Sequence, residues 1–289
     1  MFEKVLFATD FSEYAQKTLE CIGEIPGVKE VVLLHVVDAT HPSKHGWTHG
    51  PHVENAKLLM EEKKEYLENL GLRVKTKVDV ITEGDISREI LNTAEKENSS
   101  LIALGARGKG LIEGILLGSV SANVLRHAKT DVLIMRHKLA EGLEGKMFEK
   151  FCPLMLSKVL YPTDFSESSQ DALSFVKSLK GIGEVVLMHV VSKGETHEEI
   201  EAHVEEAKKK LDELVKEIRK AGIKVKTHVH VGSPIEEIIS MAEEEDASLV
   251  AMSSHGKSWF KELLVGSTTC AVARRAKRPV LVMRTKQKT

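Results

Sequence analysis

The chain has 289 residues, of which 42% are hydrophobic and 29% charged, with a formal net charge of -2. This length suits about two ordinary domains, at roughly 100 to 200 residues each. A charge balance this close to neutral disfavours nucleic acid or anionic lipid as a partner. No apolar run reaches the roughly 18 residues that span a bilayer, and the N-terminus enters a strand pattern at once, so we expect a cytoplasmic protein. The three cysteines lack metal-ligand spacing and predict neither a disulfide framework nor a zinc site.

The first half of the chain alternates between strand and helix patterns. Short runs rich in Val and Leu predict buried strands at 5–8, 31–37, 101–104 and 132–135, and polar alternation predicts a half-exposed strand at 74–80. Apolar residues at helical spacing predict helices at about 14–22, 53–70 and 119–127, and Asp85 is placed to cap another that ends near Lys96. This order indicates a doubly wound parallel sheet with right-handed crossovers.

The second half repeats the first. Residues 4–13 (KVLFATDFSE) return as 158–167 (KVLYPTDFSE), and strands are predicted at 159–161, 185–191, 225–231, 249–252 and 280–283. Ser233-Pro234 marks the start of a helix between two of them. Each copy is long enough to bury its own core, so we predict a first domain at 1–138, a linker at 139–156 and a second domain at 157–289.

Three segments of each copy are expected to meet beyond the carboxyl ends of the strands, where open α/β sheets bind ligands. In the first copy, Thr9-Asp10 follows the first strand and Val36 ends the second. A glycine loop follows the fourth strand as Gly105-Ala106-Arg107-Gly108, then nine residues, then Gly118-Ser119. Gly108 permits close backbone approach, and Gly118-Ser119 opens a helix whose N–H groups and dipole favour a phosphate.

This arrangement resembles the nucleotide-binding branch of the universal stress protein family. The resemblance rests on G-x-x-G-x9-G-S after a buried strand, T-D-F-S after the first strand and L-L-H-V-V in the second. It covers nearly the whole chain, once in each half, as in a tandem member. It implies two five-stranded sheets of order 3-2-1-4-5, Rossmann-like and similar to adenine nucleotide alpha hydrolases. It also implies an adenine nucleotide (ATP, ADP or AMP) at each carboxyl edge.

The resemblance implies individual roles as well. Beside Thr9, Asp10 would bind the ribose side, and Val36 would bind the adenine through its backbone. The implied sugar and phosphate contacts are Gly105, Arg107, Gly108, Gly118, Ser119 and Val120. The matching positions of the second copy are Thr163, Asp164, Val190, Ser253, His255, Gly256, Gly266, Ser267 and Thr268.

The copies differ at the first glycine of the loop, where Gly105 is replaced by Ser253. If the site needs a glycine-only dihedral or a backbone contact with the ribose at this position, the serine costs on the order of 1 to 2 kcal/mol and weakens the second site roughly 5- to 30-fold. The serine hydroxyl could instead replace a contact. We predict that the first copy binds more tightly.

Structural interpretations compete with these roles. Asp10 and Asp164 have capping-box spacing and could serve as N-caps, which is compatible with binding. His35 and His189 lie in apolar strands, where a hydrogen-bonded core histidine is the common case. The glycines could simply make turns, and the basic loop residues could be solvated.

One segment has no counterpart in the second copy. Residues 41–52 contain four histidines, Trp47, two prolines and two glycines. Histidines at intervals of four could bind a metal on a helix, but the prolines and glycines favour an irregular loop. We predict a lid or partner-binding loop, with a metal site as the lesser alternative.

The leading functional hypothesis is an adenine-nucleotide-binding stress-response or regulatory protein without efficient catalysis, compatible with slow ATP hydrolysis. The first alternative is an ATP-dependent enzyme of the adenine nucleotide alpha hydrolase type, although those proteins carry Ser-Gly-Gly where this chain has T-D-F-S. The second is a nucleotide-free interaction module. The last strands, at 132–135 and 280–283, are apolar on both faces and predict an internal pseudo-dimer, with a homodimer also possible.

Overall fold

A computed structural model describes residues 2–41, 50–107, 117–136, 138–142, 145–149, 155–192, 194, 196–256 and 265–284. The chain divides into two compact units, Met1–Arg136 and His137–Thr289. Within the described ranges, no helix combines the length and apolar character needed to cross a membrane.

The first unit is a parallel α/β sheet of five strands in the order β3-β2-β1-β4-β5. Its strands are β1 (Lys4–Ala8), β2 (Glu30–Asp38), β3 (Arg73–Ile81), β4 (Leu101–Gly105) and β5 (Asp131–Met135). Its helices are α1 (Glu13–Leu19), α2 (Gly50–Asn69), α3 (Ile86–Lys96) and α4 (Ser119–His127). Residues 22–24 add a short 3₁₀ turn after α1.

The second unit repeats this sheet, in the order β10-β9-β8-β11-β12. A hairpin of β6 (Lys138–Gly142) and β7 (Gly145–Glu149) precedes it and begins one residue before the predicted linker. The strands are β8 (Lys158–Pro162), β9 (Glu184–Val191), β10 (Lys224–Val231), β11 (Leu249–Ser253) and β12 (Val280–Met283). The helices are α5 (Glu167–Ser178), α6 (His197–Lys220), α7 (Pro234–Glu244) and α8 (Ser267–Arg275). The predicted fold class and the strand order 3-2-1-4-5 are confirmed in both units.

Burial follows the sequence pattern. Central strands carry the continuous apolar runs, and residues 31–34 of β2 are fully buried. The edge strand β3 alternates between exposed and half-buried positions over residues 73–76, and residues 77–79 are all half-buried, so the predicted alternation holds for only part of the strand. Asp85 caps α3 by accepting a hydrogen bond from the backbone N of Arg88 at 3.1 Å. These elements leave the carboxyl edge of each sheet lined by loops and helix N-termini.

Two sequence predictions need correction. Gly50 and Pro51 form the first turn of α2, whereas the sequence favoured an irregular loop at these two residues. Proline fits there because its missing N–H would have no helical acceptor. Cys21 is disulfide-bonded, whereas Cys270 is a free thiol.

His45, His49 and Trp47 lie outside the described residues. Within those residues, no group of three or more His, Cys, Asp or Glu is placed to hold a metal ion.

Candidate functional site

The first strand of each unit ends in the same tight turn. In the first unit, the backbone N of Phe11 donates to Thr9 Oγ1 at 3.1 Å, and the backbone N of Ser12 donates to Asp10 Oδ1 at 3.0 Å. The T-D-F-S segment of the second unit makes the same two bonds, at 3.1 and 3.0 Å. The side chain of Ser12 then caps α1 by accepting from Ala15 N at 3.2 Å. The N-cap is therefore the serine, and the capping interpretation of the aspartate is wrong.

The phenylalanine of this turn has a left-handed backbone in both units, with φ of 59° at Phe11 and 62° at Phe165. Such a conformation is unfavourable for a bulky residue and persists only where the surroundings hold it. Each ring packs on a histidine of the second strand, with ring centroids 4.3 Å apart for Phe11 and His35 and 4.5 Å apart for Phe165 and His189. The packing holds the preceding aspartate at the sheet edge.

The same histidines bind the turn through hydrogen bonds. His35 Nδ1 donates to the carbonyl of Thr9 at 2.8 Å, and His189 Nδ1 donates to the carbonyl of Thr163 at 2.7 Å. A carbonyl only accepts, so Nδ1 carries the proton in both rings. This confirms the prediction of hydrogen-bonded histidines inside the apolar strands.

The loop after the fourth strand is attached to the next helix by two matching bonds. In the first unit, Gly118 N donates to the carbonyl of Ala106 at 2.8 Å, and Ser121 Oγ donates to the carbonyl of Gly105 at 2.8 Å. In the second unit, the equivalent donors of α8 reach Ser254 and Ser253 at 2.7 and 3.0 Å. The N–H of Gly118 is thus used within the loop. The N–H groups of Ser119 and Val120, in the first turn of α4, have no acceptor within the helix, as is usual for a helix N-terminus that binds an anion.

In the second unit, the glycine loop lies directly against the aspartate turn. A Cβ built on Gly256 would lie 3.1 Å from Cγ of Asp164 and would overlap its Oδ2. The two segments are also joined by Ser168 Oγ, which donates to the carbonyl of His255 at 2.7 Å. Only glycine permits this approach, as the sequence predicted for the motif. The matching Gly108 lies outside the described residues.

The first position of the loop differs from the expectation. Gly105 does not have a positive φ, so its backbone conformation does not require glycine. A Cβ on Gly105 would meet the carbonyl of Arg107 at 3.2 Å and Thr18 Oγ1 at 3.4 Å. In the second unit, the residue aligned with Thr18 is Ala172, and Ser253 Oγ donates to the carbonyl of His255 at 2.9 Å. The predicted dihedral penalty for Ser253 is therefore wrong.

A cavity of about 600 Å³ opens at the carboxyl edge of the second unit. This volume lies within the range of roughly 300 to 1,000 Å³ that is common for small-molecule sites. Its lining includes every residue that the sequence assigned to the second site: Thr163, Asp164, Val190, Ser253, His255, Gly256, Gly266, Ser267 and Thr268. The first unit places Thr9, Asp10, Val36, Gly105, Arg107, Gly118, Ser119 and Val120 at the corresponding strand ends and helix start.

Sequence reasoning missed one wall of the cavity, which α6 provides. His203, Glu206, Ala207 and Lys210 line it from one face of this helix, at the spacing i, i+3, i+4 and i+7. A signal for this wall is present in the sequence: H-V-E-N-A-K at 52–57 returns as H-V-E-E-A-K at 203–208.

Charges and hydroxyls are distributed differently near the two sites. Burial, with added repulsion from Arg107, lowers the pKa of Arg136 to about 10. The aligned residue after the last strand of the second unit is Arg284, so both units carry an arginine at this position. In the second unit, burial raises the pKa of the Tyr161 hydroxyl well above its usual range. Tyr161 therefore stays neutral and acts as a hydrogen-bond donor below the site.

The comparisons with known proteins agree with this geometry. The model of the universal stress protein family matches residues 1–136 and 155–284. A universal stress protein of Methanocaldococcus jannaschii is 39% identical over 158 residues, which cover 46% of this chain and 98% of that protein. Another from Synechocystis is 29% identical over 287 residues, covering 97% of this chain and 89% of that protein.

A solved structure extends the likeness to the whole fold. The crystal structure of a universal stress protein from Archaeoglobus fulgidus covers 99% of this chain and 97% of its own, with a TM-score of 0.73 and 28% sequence identity. The family model matches twice and the strand order is the same in both units. The chain therefore belongs to the universal stress protein family, as a tandem member with one family domain in each half.

Proposed function

We propose that this protein binds an adenine nucleotide at the carboxyl edge of each unit and acts as a stress-response or regulatory protein without efficient catalysis. The observation that carries the proposal is the cavity of the second unit, which gathers the residues assigned from three separate segments of the sequence. Its volume and its mixture of apolar and polar groups suit a nucleotide. The matching hydrogen bonds of the two turns and loops support an equivalent site in the first unit.

Each part of the nucleotide has suitable residues. The backbone at Val190 lies at the end of β9, where it can bind the adenine, and Asp164 lies where a ribose hydroxyl would bind. Ser267 and Thr268 begin α8, so their N–H groups and hydroxyls can receive the phosphates. Gly256 permits a phosphate or ribose to approach the loop backbone closely.

The site offers weak support for rapid hydrolysis. Asp164 Oδ1 accepts hydrogen bonds from both the N and the Oγ of Ser166, at 3.0 and 2.6 Å. This carboxylate oxygen is therefore already engaged in holding the turn. The T-D-F-S turn also stands where the enzyme alternative would have a glycine-rich phosphate loop. Slow ATP hydrolysis is compatible with this arrangement, and a nucleotide-free module would not need a cavity of this size.

The proposal is tested by titration of the full chain and of variants with one site blocked. Gly118 and Gly266 have ordinary room for a Cβ, with the nearest non-neighbouring atoms at 3.7 and 3.6 Å, and neither has a positive φ. We expect Gly118→Val and Gly266→Val to fold but to fill the phosphate position. Calorimetry with ATP should give two sites in the parent, one in each single variant and none in the double variant.

Mass spectrometry of molecules released from the purified protein identifies the nucleotide. Gly50→Ala is the control, because a Cβ there meets nothing within 4 Å. Unchanged ATP affinity in the folded double variant would contradict the phosphate assignment. A parent protein that binds no adenine nucleotide would contradict the proposed function itself.

The pseudo-dimer of the two copies is a separate proposal. The apolar last strands lead us to expect that the copies pair and that isolated halves associate or lose solubility. NMR relaxation of the intact chain measures whether the halves tumble together. Independent tumbling would rule out a stable pairing.

A further inference from the structure

The two sites differ in the position of their permanent positive charge. In the first unit, Arg107 belongs to the glycine loop. The aligned residue of the second unit is His255, whose charge depends on pH. Of the described residues that line the second cavity, Lys210 is the only lysine or arginine. Among the described lining residues of the second cavity, the permanent cation therefore lies on α6 and not in the loop.

The alignment of the two helices makes Lys210 specific to the second copy. The repeated segments at 52–57 and 203–208 align Ala56 with Ala207, and these side chains are 2% and 3% exposed. Equal burial supports the register. In that register, Lys210 corresponds to Leu59, and Glu206 corresponds to Asn55. The helix wall of the first site has no charged residue at either position.

The position of Lys210 connects it to the aspartate turn. Its Nζ lies 5.5 Å from the ring centroid of Phe165, the residue that directly follows Asp164. Nζ also pairs with Glu206 one turn earlier on the helix, and the Lys210 side chain is 43% exposed. An exposed i, i+4 ion pair is a weak interaction. A phosphate group, which carries more charge than one carboxylate, can therefore compete with Glu206 for the ammonium group.

We propose that Lys210 is a specificity-determining residue of the second site, where it binds the anionic part of the ligand and takes the role that the family resemblance assigns to Arg107 in the first site. This inference rests on the proposed function, because it assumes that a nucleotide occupies the cavity. It adds that the second site distinguishes phosphorylated from unphosphorylated adenine ligands through α6. In the first site, we assign this distinction to Arg107 of the loop.

The test uses the full chain with Gly118→Val, so that only the second site is titrated. ATP and adenosine are the two probes, because they share the base and ribose and differ in the phosphates. Lys210→Leu introduces the residue of the first copy. We expect it to weaken ATP binding about tenfold or more, as for a lost charge-assisted hydrogen bond, and to change adenosine binding by less than about twofold.

Lys208→Leu is the matched control. Lys208 lies on the same helix, pairs with Glu205 at 2.7 Å, has a side chain 56% exposed and does not line the cavity. It should leave the affinity for both ligands unchanged. Lys210→Arg keeps the charge and should restore most of the ATP affinity that the leucine variant loses.

Several outcomes would overturn the inference. Equal losses for ATP and adenosine would show that Lys210 only shapes the cavity wall, and no loss for ATP would remove it from the site. The same loss in the Lys208 variant would indicate a general effect of helix charge. In all three cases ATP still binds the parent protein, and the proposed function stands. Failure of ATP and adenosine to bind the parent protein would overturn both proposals.

Discussion

Buried residues of the first strand and first helix form the floor beneath each site. At aligned positions these residues are apolar in the first unit and polar in the second. In the first unit, Phe7 and Ala15 are 1% and 5% exposed and pack as apolar groups. In the second unit, the aligned residues are Tyr161 and Ser169, and Tyr161 OH donates to the carbonyl of Ser169 at 2.5 Å. Ser169 Oγ also shares a hydrogen bond of 2.8 Å with Thr163 Oγ1. A buried polar network can replace apolar packing when each of its members has a partner.

A second pair of aligned positions differs between the units, and here a change in side-chain volume at one position is compensated at the other. The first unit combines Gly105 with Thr18, and the second combines Ser253 with Ala172. The larger side chain is on the helix in one copy and on the strand end in the other. Because a Cβ on Gly105 would approach Thr18 Oγ1 to 3.4 Å, the two positions vary together. The difference between the copies is thus a repacking, and it does not by itself indicate a lost site.

The largest effect is expected from Gly256→Ala, which breaks the contact between loop and aspartate. The added Cβ overlaps Asp164, so the loop or the carboxylate must move. With the first site blocked by Gly118→Val, we expect ATP affinity to fall about 100-fold, on the order of 3 kcal/mol. Gly266→Ala is the control, since its Cβ has room, and it should lose less than about fivefold. If a folded Gly256→Ala variant keeps its ATP affinity, the loop does not contribute to nucleotide binding at the second site.

A smaller effect, on the free energy of unfolding, is expected from substitutions that convert the polar floor of the second unit into the apolar floor of the first. Tyr161→Phe removes the donor to Ser169 and should lower the free energy of unfolding by about 1 to 2 kcal/mol. Tyr161→Phe with Ser169→Ala reproduces the apolar pair of the first copy. Because Tyr161 OH also lies 3.4 Å from Ser169 Oγ, the double change should cost less than the sum of the two single changes. Urea denaturation of the four proteins measures this coupling. Additive effects would mean that the hydroxyls do not act as one network.

The third prediction concerns a charge cluster that both copies share. The hydrogen bond from Lys75, helped by Lys4, holds the pKa of Glu97 below its usual value. The hydrogen bond from Lys226 does the same for Glu245, with His228 2.9 Å away. A lowered folded-state pKa gives stability that is complete above the ordinary carboxyl pKa and is lost as the pH falls through the lowered value.

Each glutamate-to-glutamine variant should therefore lose about 1 kcal/mol of stability at neutral pH and show a shallower loss of stability below about pH 4.5. Thermal unfolding between pH 3 and 7 measures both quantities. Glu3→Gln is the control, because its ion pair with Lys29 is exposed on both sides, with 61% and 62% of the side chains accessible. An acid transition identical to that of the parent would contradict the role of the clusters.

The smallest effect is expected from Ser253→Gly. The sequence alone predicted stronger binding in this variant, but the strand end needs no glycine-only dihedral and the hydroxyl supports the loop through His255. We now expect ATP affinity of the second site to change by less than about threefold, a difference well under 1 kcal/mol. Calorimetry in the Gly118→Val background measures it. A tenfold gain would restore the original argument for a weaker second site.

Much of the fold followed from the sequence because its signals are local or repeated. Val and Leu runs identified the buried strands, Asp85 identified the start of α3, and the duplication fixed the number of units. The site segments were also predictable, because the carboxyl ends of parallel strands meet at one edge. The spacing of Gly118-Ser119 from Gly105 placed a helix N-terminus beside that edge.

Contacts between distant segments required the tertiary structure. The capping role of Ser12 instead of Asp10 depends on the left-handed turn at Phe11, which no propensity for phenylalanine predicts. The exchange of Thr18 and Ala172 against Gly105 and Ser253 is visible only where helix and strand end touch. From the sequence alone, Lys210 is an ordinary lysine on the solvated face of a helix. Only the packing of α6 beside the cavity shows that it lines the site. Sequence patterns report the periodicity of each element, whereas the site depends on which faces the elements present to one another.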